Sequence, residues 1–240
     1  MAQSKDIKFW SDRFIEHFNV AKATSEKNGI ELSKEMLKAI NESQSQWVKI
    51  KQNPQLIVEN RAIIQSSLIT KAKVRELFIK EEIPCLPDLF HHMMEELAYF
   101  EVSVLDQGYT FLDEMKWWAH EHAENLDFVN CYLHQLITED SFLARLIGKP
   151  TEVEKMIADN ANLSQKFTDL SNLTASETQF YKKLTDLKVK HLDGVSHLIS
   201  KVDLLPLEED TKKLLHEMLK HESQEADYAF DRLKRLAGKK

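Results

Sequence analysis

Apolar residues recur every three or four positions along almost the whole chain, which is the spacing of a helix with one buried face. Few residues interrupt this pattern. Asn28-Gly29 is expected to end the first helix in a left-handed conformation, and Asn53-Pro54 to end the second. The pattern as a whole predicts helices over 5–26, 31–52, 55–81, 86–106, 109–138, 150–173, 175–202 and 207–237.

The later interruptions suggest how these helices are grouped. Pro84 and Pro87 bracket the start of the fourth helix, and Gly108 separates it from the fifth. Further boundaries are predicted at Gly148-Lys149-Pro150 and at Pro206. Helices of about 20 residues joined by short loops pack as antiparallel bundles. The sequence therefore predicts an all-α fold of about eight helices, with one four-helix bundle over 1–107 and a second over 108–240.

A repeated pattern connects the two halves at their first and last helices. In each first helix an aromatic pair is followed by a glutamate, and the second copy lies 108 residues after the first. In each last helix the motif is His-x-x-x-Glu-x-x-Tyr, and the copies start at His92 and His221. Because both motifs occur in the same order, we interpret the two halves as a tandem repeat.

Composition narrows the function classes. Among 240 residues there are 32 Lys and Arg against 39 Asp and Glu, a net charge of −7, so neither a nucleic-acid nor an anionic-membrane surface is expected. The two cysteines lack metal-type spacing and cannot form a disulfide framework. With no apolar leader and no run of about 18 apolar residues, a cytoplasmic location is the expectation.

Four glutamates are expected to face inward because apolar residues occupy the same helical stripe: Glu16, Glu96, Glu124 and Glu225. A buried carboxylate costs several kcal/mol unless a cation, a proton or a metal ion compensates it. His92 and His221 lie one turn before Glu96 and Glu225, on the same faces. Two histidines with four glutamates form the ligand set of carboxylate-bridged di-iron and di-manganese bundles, although the usual motif there is Glu-x-x-His.

Two further histidines are secondary candidates. His17 follows Glu16, but its repeat counterpart is Asn125, a poor metal ligand, and His120 lies one turn before Glu124. The remaining histidines lack a repeated context and are interpreted as surface or packing residues: His91, His122, His134, His191, His197 and His216. The candidate metal ligands are therefore Glu16, His17, His92, Glu96, His120, Glu124, His221 and Glu225.

At these motifs the chain resembles a bacterial family of uncharacterised proteins, domain of unknown function 2935. Phe9-Trp10 with Glu16-His17 is similar to the family pattern of the first helix, and Trp117-Trp118 with Glu124 is similar to its second copy. The motifs that begin at His92 and His221 match the family's His-x-x-x-Glu followed by an aromatic residue. The resemblance implies two tandem ferritin-like four-helix bundles that bind metal, and it brings no established reaction.

We therefore expect a protein that binds one or two transition-metal ions between its first, fourth, fifth and eighth helices. Carboxylate and imidazole ligands suit iron or manganese, and zinc is possible. Any catalysis there would be redox chemistry or oxygen handling. Two alternatives remain open: a metal-free interaction module whose inward polar residues satisfy one another, and a hemerythrin-like carrier, which would require more repeated histidines. The sequence does not indicate the oligomeric state.

Overall fold

The computed structural model describes residues 4–147, 152–203 and 209–238, and within these ranges the fold is all-α, without strands. This confirms the predicted fold class. The boundaries predicted at Gly148 to Pro150 and at Pro206 lie outside the described residues. The chain divides into two compact units, Met1–Tyr109 and Thr110–Lys240, named unit 1 and unit 2 below.

Unit 1 contains four long helices, each packed against the next, with the last returning to the first. The polypeptide passes through α1 and α2, then a short helix α3, and then α4 and α5, and α5 continues into a π-helical segment. The bounds are α1 Ser4–Lys27, α2 Lys34–Gln52, α3 Gln55–Glu59, α4 Ala62–Lys80, α5 Leu86–Tyr99 and the π-helical segment Phe100–Leu105.

The end of α1 follows the sequence prediction. Gly29 has φ +65°, the left-handed conformation that favours glycine, and its N–H donates to the Glu26 carbonyl at 3.1 Å. The Ile30 N–H donates to the Ser25 carbonyl at 2.9 Å. These bonds satisfy the last carbonyls of α1, and the turn that the sequence predicts at Asn28-Gly29 is confirmed.

The single helix predicted over 55–81 is wrong, because the chain breaks into α3 and α4. Asn60 adopts an extended conformation, with φ −139° and ψ 86°, and its side-chain oxygen accepts the Ala62 N–H at 3.2 Å. Asparagine side chains compete with the helical backbone for such hydrogen bonds. The break therefore needs neither glycine nor proline, which are the residues that signalled the other boundaries.

The helix predicted over 86–106 is α-helical only as far as Tyr99, and the next six residues form a π-helix. Tyr99 and Phe100 are consecutive, yet both rings approach the Trp10 ring, at centroid distances of 5.5 and 6.5 Å. Phe100 also contacts Phe14 at 5.4 Å and Trp47 at 5.8 Å. The wider π-turn coincides with this aromatic core of unit 1.

Unit 2 also has four long helices: α6 Phe111–Ile147, α7 Glu152–Ser171, α8 Glu177–Val202 and α9 Glu209–Ala237. Successive helices pack against one another, and α9 packs against α6. The first of them starts with a capping box, because the Thr110 N–H and hydroxyl donate to Asp113 Oδ2 and the Asp113 N–H donates to Thr110 Oγ1. This helix extends beyond its predicted end at 138, since no glycine or proline occurs between Phe111 and Ile147.

The two units share an internal register of buried positions. Trp10 contacts Tyr99 in unit 1 at 5.5 Å, and their repeat counterparts Trp118 and Tyr228 lie 5.9 Å apart in unit 2. The middle helices repeat with an offset of 120 residues. The buried positions of α2 recur in α7, as Ile40 with Asn160, Ser43 with Leu163, Trp47 with Phe167 and Ile50 with Leu170.

The aliphatic core of unit 2 lies between all four of its helices. It contains Val129, Leu133, Met156, Ile157, Val195, Leu198, Val202, Leu215 and Leu219. None of the described helices combines the length and the apolar character needed to cross a lipid bilayer.

Candidate metal centre

The first buried candidate is the pair His17 and Glu96 in unit 1. Glu96 lies on α5 with its side chain fully buried, and His17 lies on α1, also buried. The distance between His17 Nε2 and Glu96 Oε2 is 3.1 Å. The prediction that Glu96 faces inward is therefore confirmed, and a histidine from a neighbouring helix lies beside it.

A buried lysine completes this arrangement. Lys71 of α4 is fully buried, its Nζ lies 2.8 Å from His17 Nδ1, and it donates to the Met93 carbonyl at 2.7 Å. The ammonium also lies 4.9 Å from the centre of the Phe14 ring and 5.9 Å from that of Phe18. Unit 1 thus brings its own cation to the imidazole that contacts Glu96, a feature that sequence analysis missed.

His92 and Glu16 take different positions relative to this pair. His92 is buried one turn before Glu96 on α5, as the sequence predicts. Glu16, in contrast, does not face inward: its side chain is 42% exposed and accepts a hydrogen bond from Arg13 Nη2 at 2.8 Å. The prediction for Glu16 is wrong because its stripe includes the partly exposed edge of α1, where the guanidinium balances the carboxylate.

In unit 2 the repeat counterpart of Glu96 is Glu225, which is fully buried on α9. His221 Nε2 lies 2.8 Å from Glu225 Oε1, one turn apart on the same helix. Asn125 of α6 donates to Glu225 Oε2 at 3.2 Å. Asn125 therefore approaches its glutamate from the position that His17 occupies in unit 1, and the asparagine that departs from the repeat fills the same place with an amide.

His120 and Glu124 form a pair at the edge of unit 2. His120 Nε2 lies 3.2 Å from Glu124 Oε1, and the two side chains are 52% and 32% exposed. Glu124 is therefore partly buried, at a point where its helical stripe passes from the core of α6 toward solvent. The four glutamates thus separate into buried Glu96 and Glu225 and more exposed Glu16 and Glu124.

A second buried cluster in unit 2 involves residues that the sequence did not single out. His122 of α6, His191 of α8 and Glu222 of α9 are all buried, and one potential ligand atom of each lies within 4.8 Å of the other two. His191 Nε2 is 2.7 Å and His122 Nδ1 is 3.6 Å from Glu222 Oε1. From the sequence, His122 and His191 are interpreted as surface or packing residues, because the sequence does not show that both lie beside Glu222.

Burial and neighbouring charges shift the pKa values of His122 and Glu222. Burial lowers the pKa of His122, and the charge of His191 lowers it further, while Glu222 and Glu225 only partly oppose this. Burial alone raises the pKa of Glu222, but the charge of His191 and the interactions with both imidazoles outweigh burial. The pKa of Glu222 therefore lies below its ordinary value, which favours a neutral His122 beside an ionised Glu222.

Aromatic side chains surround these two histidines. The His122 and His191 rings are 5.0 Å apart, and the Phe167 ring lies 5.4 and 5.8 Å from them. Trp118 lies 6.0 Å from His122. A periodicity signal for these positions exists in the sequence, since Glu222 continues the stripe of Leu215, Leu219 and Ala226, and His122 follows Trp118 by one turn.

A separate ion pair joins α6 to α9 in unit 2. Arg232 donates to Glu114 through Nη2 at 2.7 Å and through Nε at 3.2 Å to each carboxylate oxygen, and both residues are buried. This geometry lets the guanidinium engage both oxygens. The pair therefore has a structural role, and neither residue belongs to the candidate ligand set.

Comparison with known proteins does not identify a relative of this chain. No protein-family model, no curated protein and no solved structure matches it.

Proposed function

We propose that this protein binds transition-metal ions, with iron or manganese as the preferred ions and zinc as a further option. The observation that carries the proposal is that Glu96 and Glu225 are fully buried at equivalent positions of a repeated motif. Each has an imidazole Nε2 within 3.1 Å, from His17 and His221 respectively. Carboxylate oxygens and imidazole nitrogens are the donors that these metals prefer.

The donor chemistry of each unit fits such an ion. In unit 1, Glu96 is accompanied by His17 and by His92 one turn earlier, and in unit 2, Glu225 is accompanied by His221. A bound cation would offset the cost of the buried carboxylate charge. The resemblance to domain of unknown function 2935, with its ferritin-like bundles, is consistent with this proposal. Bound iron or manganese would supply redox chemistry or oxygen handling.

Metal analysis of the purified full chain tests the proposal. Protein produced in metal-replete medium should contain stoichiometric metal, and Glu96→Gln or Glu225→Gln should lower the metal content because an amide is a poorer ligand than a carboxylate. Glu217→Gln is the matched control, since Glu217 is exposed on the same helix as Glu225. Full metal content in both buried variants, or only traces of metal in the wild type, would contradict the proposal.

A metal-free helical module is the second candidate, and the Lys71 network favours it in unit 1. If the Lys71 ammonium donates to His17 Nδ1, the imidazole carries its proton on Nε2, which faces Glu96. In that tautomer His17 cannot offer the Nε2 lone pair to an ion. This candidate predicts that chelation leaves thermal unfolding unchanged, whereas the metal-binding proposal predicts a lower Tm.

A further inference from the structure

The buried cluster of His122, His191 and Glu222 brings three donor atoms within 4.8 Å of one another in unit 2. They come from three different helices, α6, α8 and α9, so the fold and not local sequence brings them together. Glu222 Oε1 lies 2.7 Å from His191 Nε2 and 3.6 Å from His122 Nδ1. Ligands bonded to a metal at 2.0–2.1 Å in tetrahedral geometry lie roughly 3.3 Å from one another, which is between these values.

These contacts are close without having the directions of hydrogen bonds. Neither ring nitrogen of His122 or His191 has a partner of acceptable hydrogen-bond geometry, and the same is true of Glu222 Oε1. In a metal site each lone pair points at the ion, so a neighbouring ligand atom lies close but off the axis of the ring nitrogen. Buried polar atoms without hydrogen bonds are uncommon in folded proteins and require a physical explanation.

The surroundings make an uncompensated carboxylate costly at this position. Phe167 packs against both imidazole rings and is fully buried, as is Trp118 beside His122. Aromatic walls exclude the water that would otherwise solvate Glu222. Because the two imidazoles bring donor atoms and the walls bring none, a cation bound to all three residues is the arrangement that satisfies them together.

Unit 1 shows what occupies the equivalent place when no such ligand set is present. The repeat offsets relate His122 to Phe14, Glu222 to Met93, and His191 to Lys71. Phe167 corresponds to Trp47, which contacts Phe14 at 4.6 Å, just as Phe167 contacts His122. In unit 1 the Lys71 amine therefore occupies the space between these equivalent residues. In unit 2 the same space is surrounded by three side chains that can each bind a metal ion.

We propose that unit 2 binds a divalent transition-metal ion through His122, His191 and Glu222, at a site separate from the ligands assigned above. Two imidazoles and one carboxylate are a ligand set found for zinc and for non-haem iron, and three protein ligands leave a further position for water or an exogenous ligand. This inference uses none of the residues of the proposed function and does not depend on it.

Cobalt(II) provides a direct probe, because its visible absorption reports ligand type and geometry. The full chain, stripped of metal with a chelator, is titrated with Co²⁺, and a stoichiometric absorption band should develop. Glu222→Gln and His191→Gln should lower the Co²⁺ affinity of this site by at least about tenfold, since even residues outside the ligand set commonly contribute that much. Exposed His197 of α8 supplies a matched control, His197→Gln.

A repeat exchange, His122→Phe with His191→Lys and Glu222→Met, places the unit 1 residues in unit 2. In the Glu96→Gln, Glu225→Gln background it should abolish the remaining band and retain helical circular dichroism, and the single Gln variants remain decisive if this combined variant does not fold. Glu96→Gln and Glu225→Gln should retain the band even where they lose other metal. An unaltered titration in both Glu222→Gln and His191→Gln, or no Co²⁺ binding by the wild type, overturns the inference.

Discussion

Lys71 of α4 and His191 of α8 occupy equivalent positions in the two units, 120 residues apart in the chain. Lys71 Nζ lies 4.9 Å from the centre of the Phe14 ring. His122 corresponds to Phe14 in unit 2, and its ring lies 5.0 Å from the His191 ring. Each is fully buried. One backbone arrangement thus accommodates a lysine side chain in one unit and a pair of imidazoles in the other.

Removing the buried ammonium should destabilise unit 1. Lys71→Met deletes the donor to the Met93 carbonyl and the contact with His17 Nδ1, and losing the partner of a buried acceptor costs about 1–3 kcal/mol. The measurement is the free energy of unfolding in urea. Lys73→Met, on the exposed side of α4, is the control. A Lys71→Met variant as stable as this control would show that the ammonium has no structural role.

The Arg232–Glu114 pair should show strong coupling. Arg232→Met removes the guanidinium from a buried carboxylate and should lower the free energy of unfolding by about 3–5 kcal/mol. Adding Glu114→Met removes the charge as well and should restore much of the loss. A double-mutant cycle measures this coupling, with Lys234→Met as an exposed control on α9. Additive effects of the two substitutions would argue against a coupled pair.

The capping box at the start of α6 predicts that part of the free energy of unfolding depends on pH. Thr110→Ala should cost about 1 kcal/mol, because the hydroxyl accepts the Asp113 N–H. The hydroxyl and N–H of Thr110 also lower the pKa of Asp113. The resulting stabilisation is present above the ordinary aspartate pKa and is lost as pH falls through the lowered value.

Urea unfolding at neutral and strongly acidic pH tests this, with Thr110→Ser as the conservative control because it retains the hydroxyl. The difference between wild type and Thr110→Ala should shrink in acid. A difference that stays constant with pH would mean that Asp113 does not contribute through its charge.

Unit 2 should lose stability in mild acid when metal is removed. The pKa of His122 is lowered in the folded state, chiefly by burial, so the unfolded chain takes up a proton first. Stability should therefore fall as pH drops below about 6.5, by up to about 1.4 kcal/mol per pH unit for one such histidine. The groups that face it are His191 of α8 and Glu222 and Glu225 of α9.

Urea unfolding between neutral pH and pH 5 measures this slope in chelator-treated protein. His122→Phe, which introduces the residue found at the equivalent position of unit 1, should reduce the slope. His197→Gln should leave it intact, since His197 is exposed. The same slope in His122→Phe as in wild type would mean that this histidine titrates alike in both states.

Metal binding should raise the Tm of the protein. An ion present at about 100 times its Kd stabilises the folded state by about 2.7 kcal/mol, so chelation should lower the Tm. Glu225→Gln should show a smaller change on chelation than the wild type, because it has less metal to lose. Differential scanning calorimetry with parallel metal analysis measures both quantities, and a constant Tm during verified metal loss would contradict the linkage.

The ends of helices were predictable where glycine or proline restricts or permits particular backbone conformations. Gly29 and Pro54 mark the ends of α1 and α2 because one favours positive φ and the other cannot continue the hydrogen bonding. The break at Asn60 was not predictable in this way, since it depends on one side-chain hydrogen bond that many helical asparagines do not make. Periodicity also could not reveal the π-helical segment, because its sequence, FEVSVL, has no glycine or proline to mark a change of helix type.

The candidate site was predictable only in part, because the repeat identifies residues that the two halves share. It led to Glu96 and Glu225, which are buried, but it also selected Glu16 and Glu124, whose stripes reach solvent. Lys71 and Glu222 were missed because their repeat counterparts, His191 and Met93, differ from them in chemistry, so the repeat does not mark these positions. Their burial follows from packing in three dimensions.

The π-helical segment Phe100–Leu105 has a consequence for how the chain compares with itself. A π-turn is closed by an i→i+5 hydrogen bond instead of i→i+4, so it holds more residues than an α-turn. Before it, Tyr99 and Tyr228 align at a fixed offset of 129 residues. The same offset continues to match burial beyond it, since Ser103 and Val104 are buried like Arg232 and Leu233, and Val102 is exposed like Asp231. The two halves can therefore be aligned through the π-helical segment without a gap.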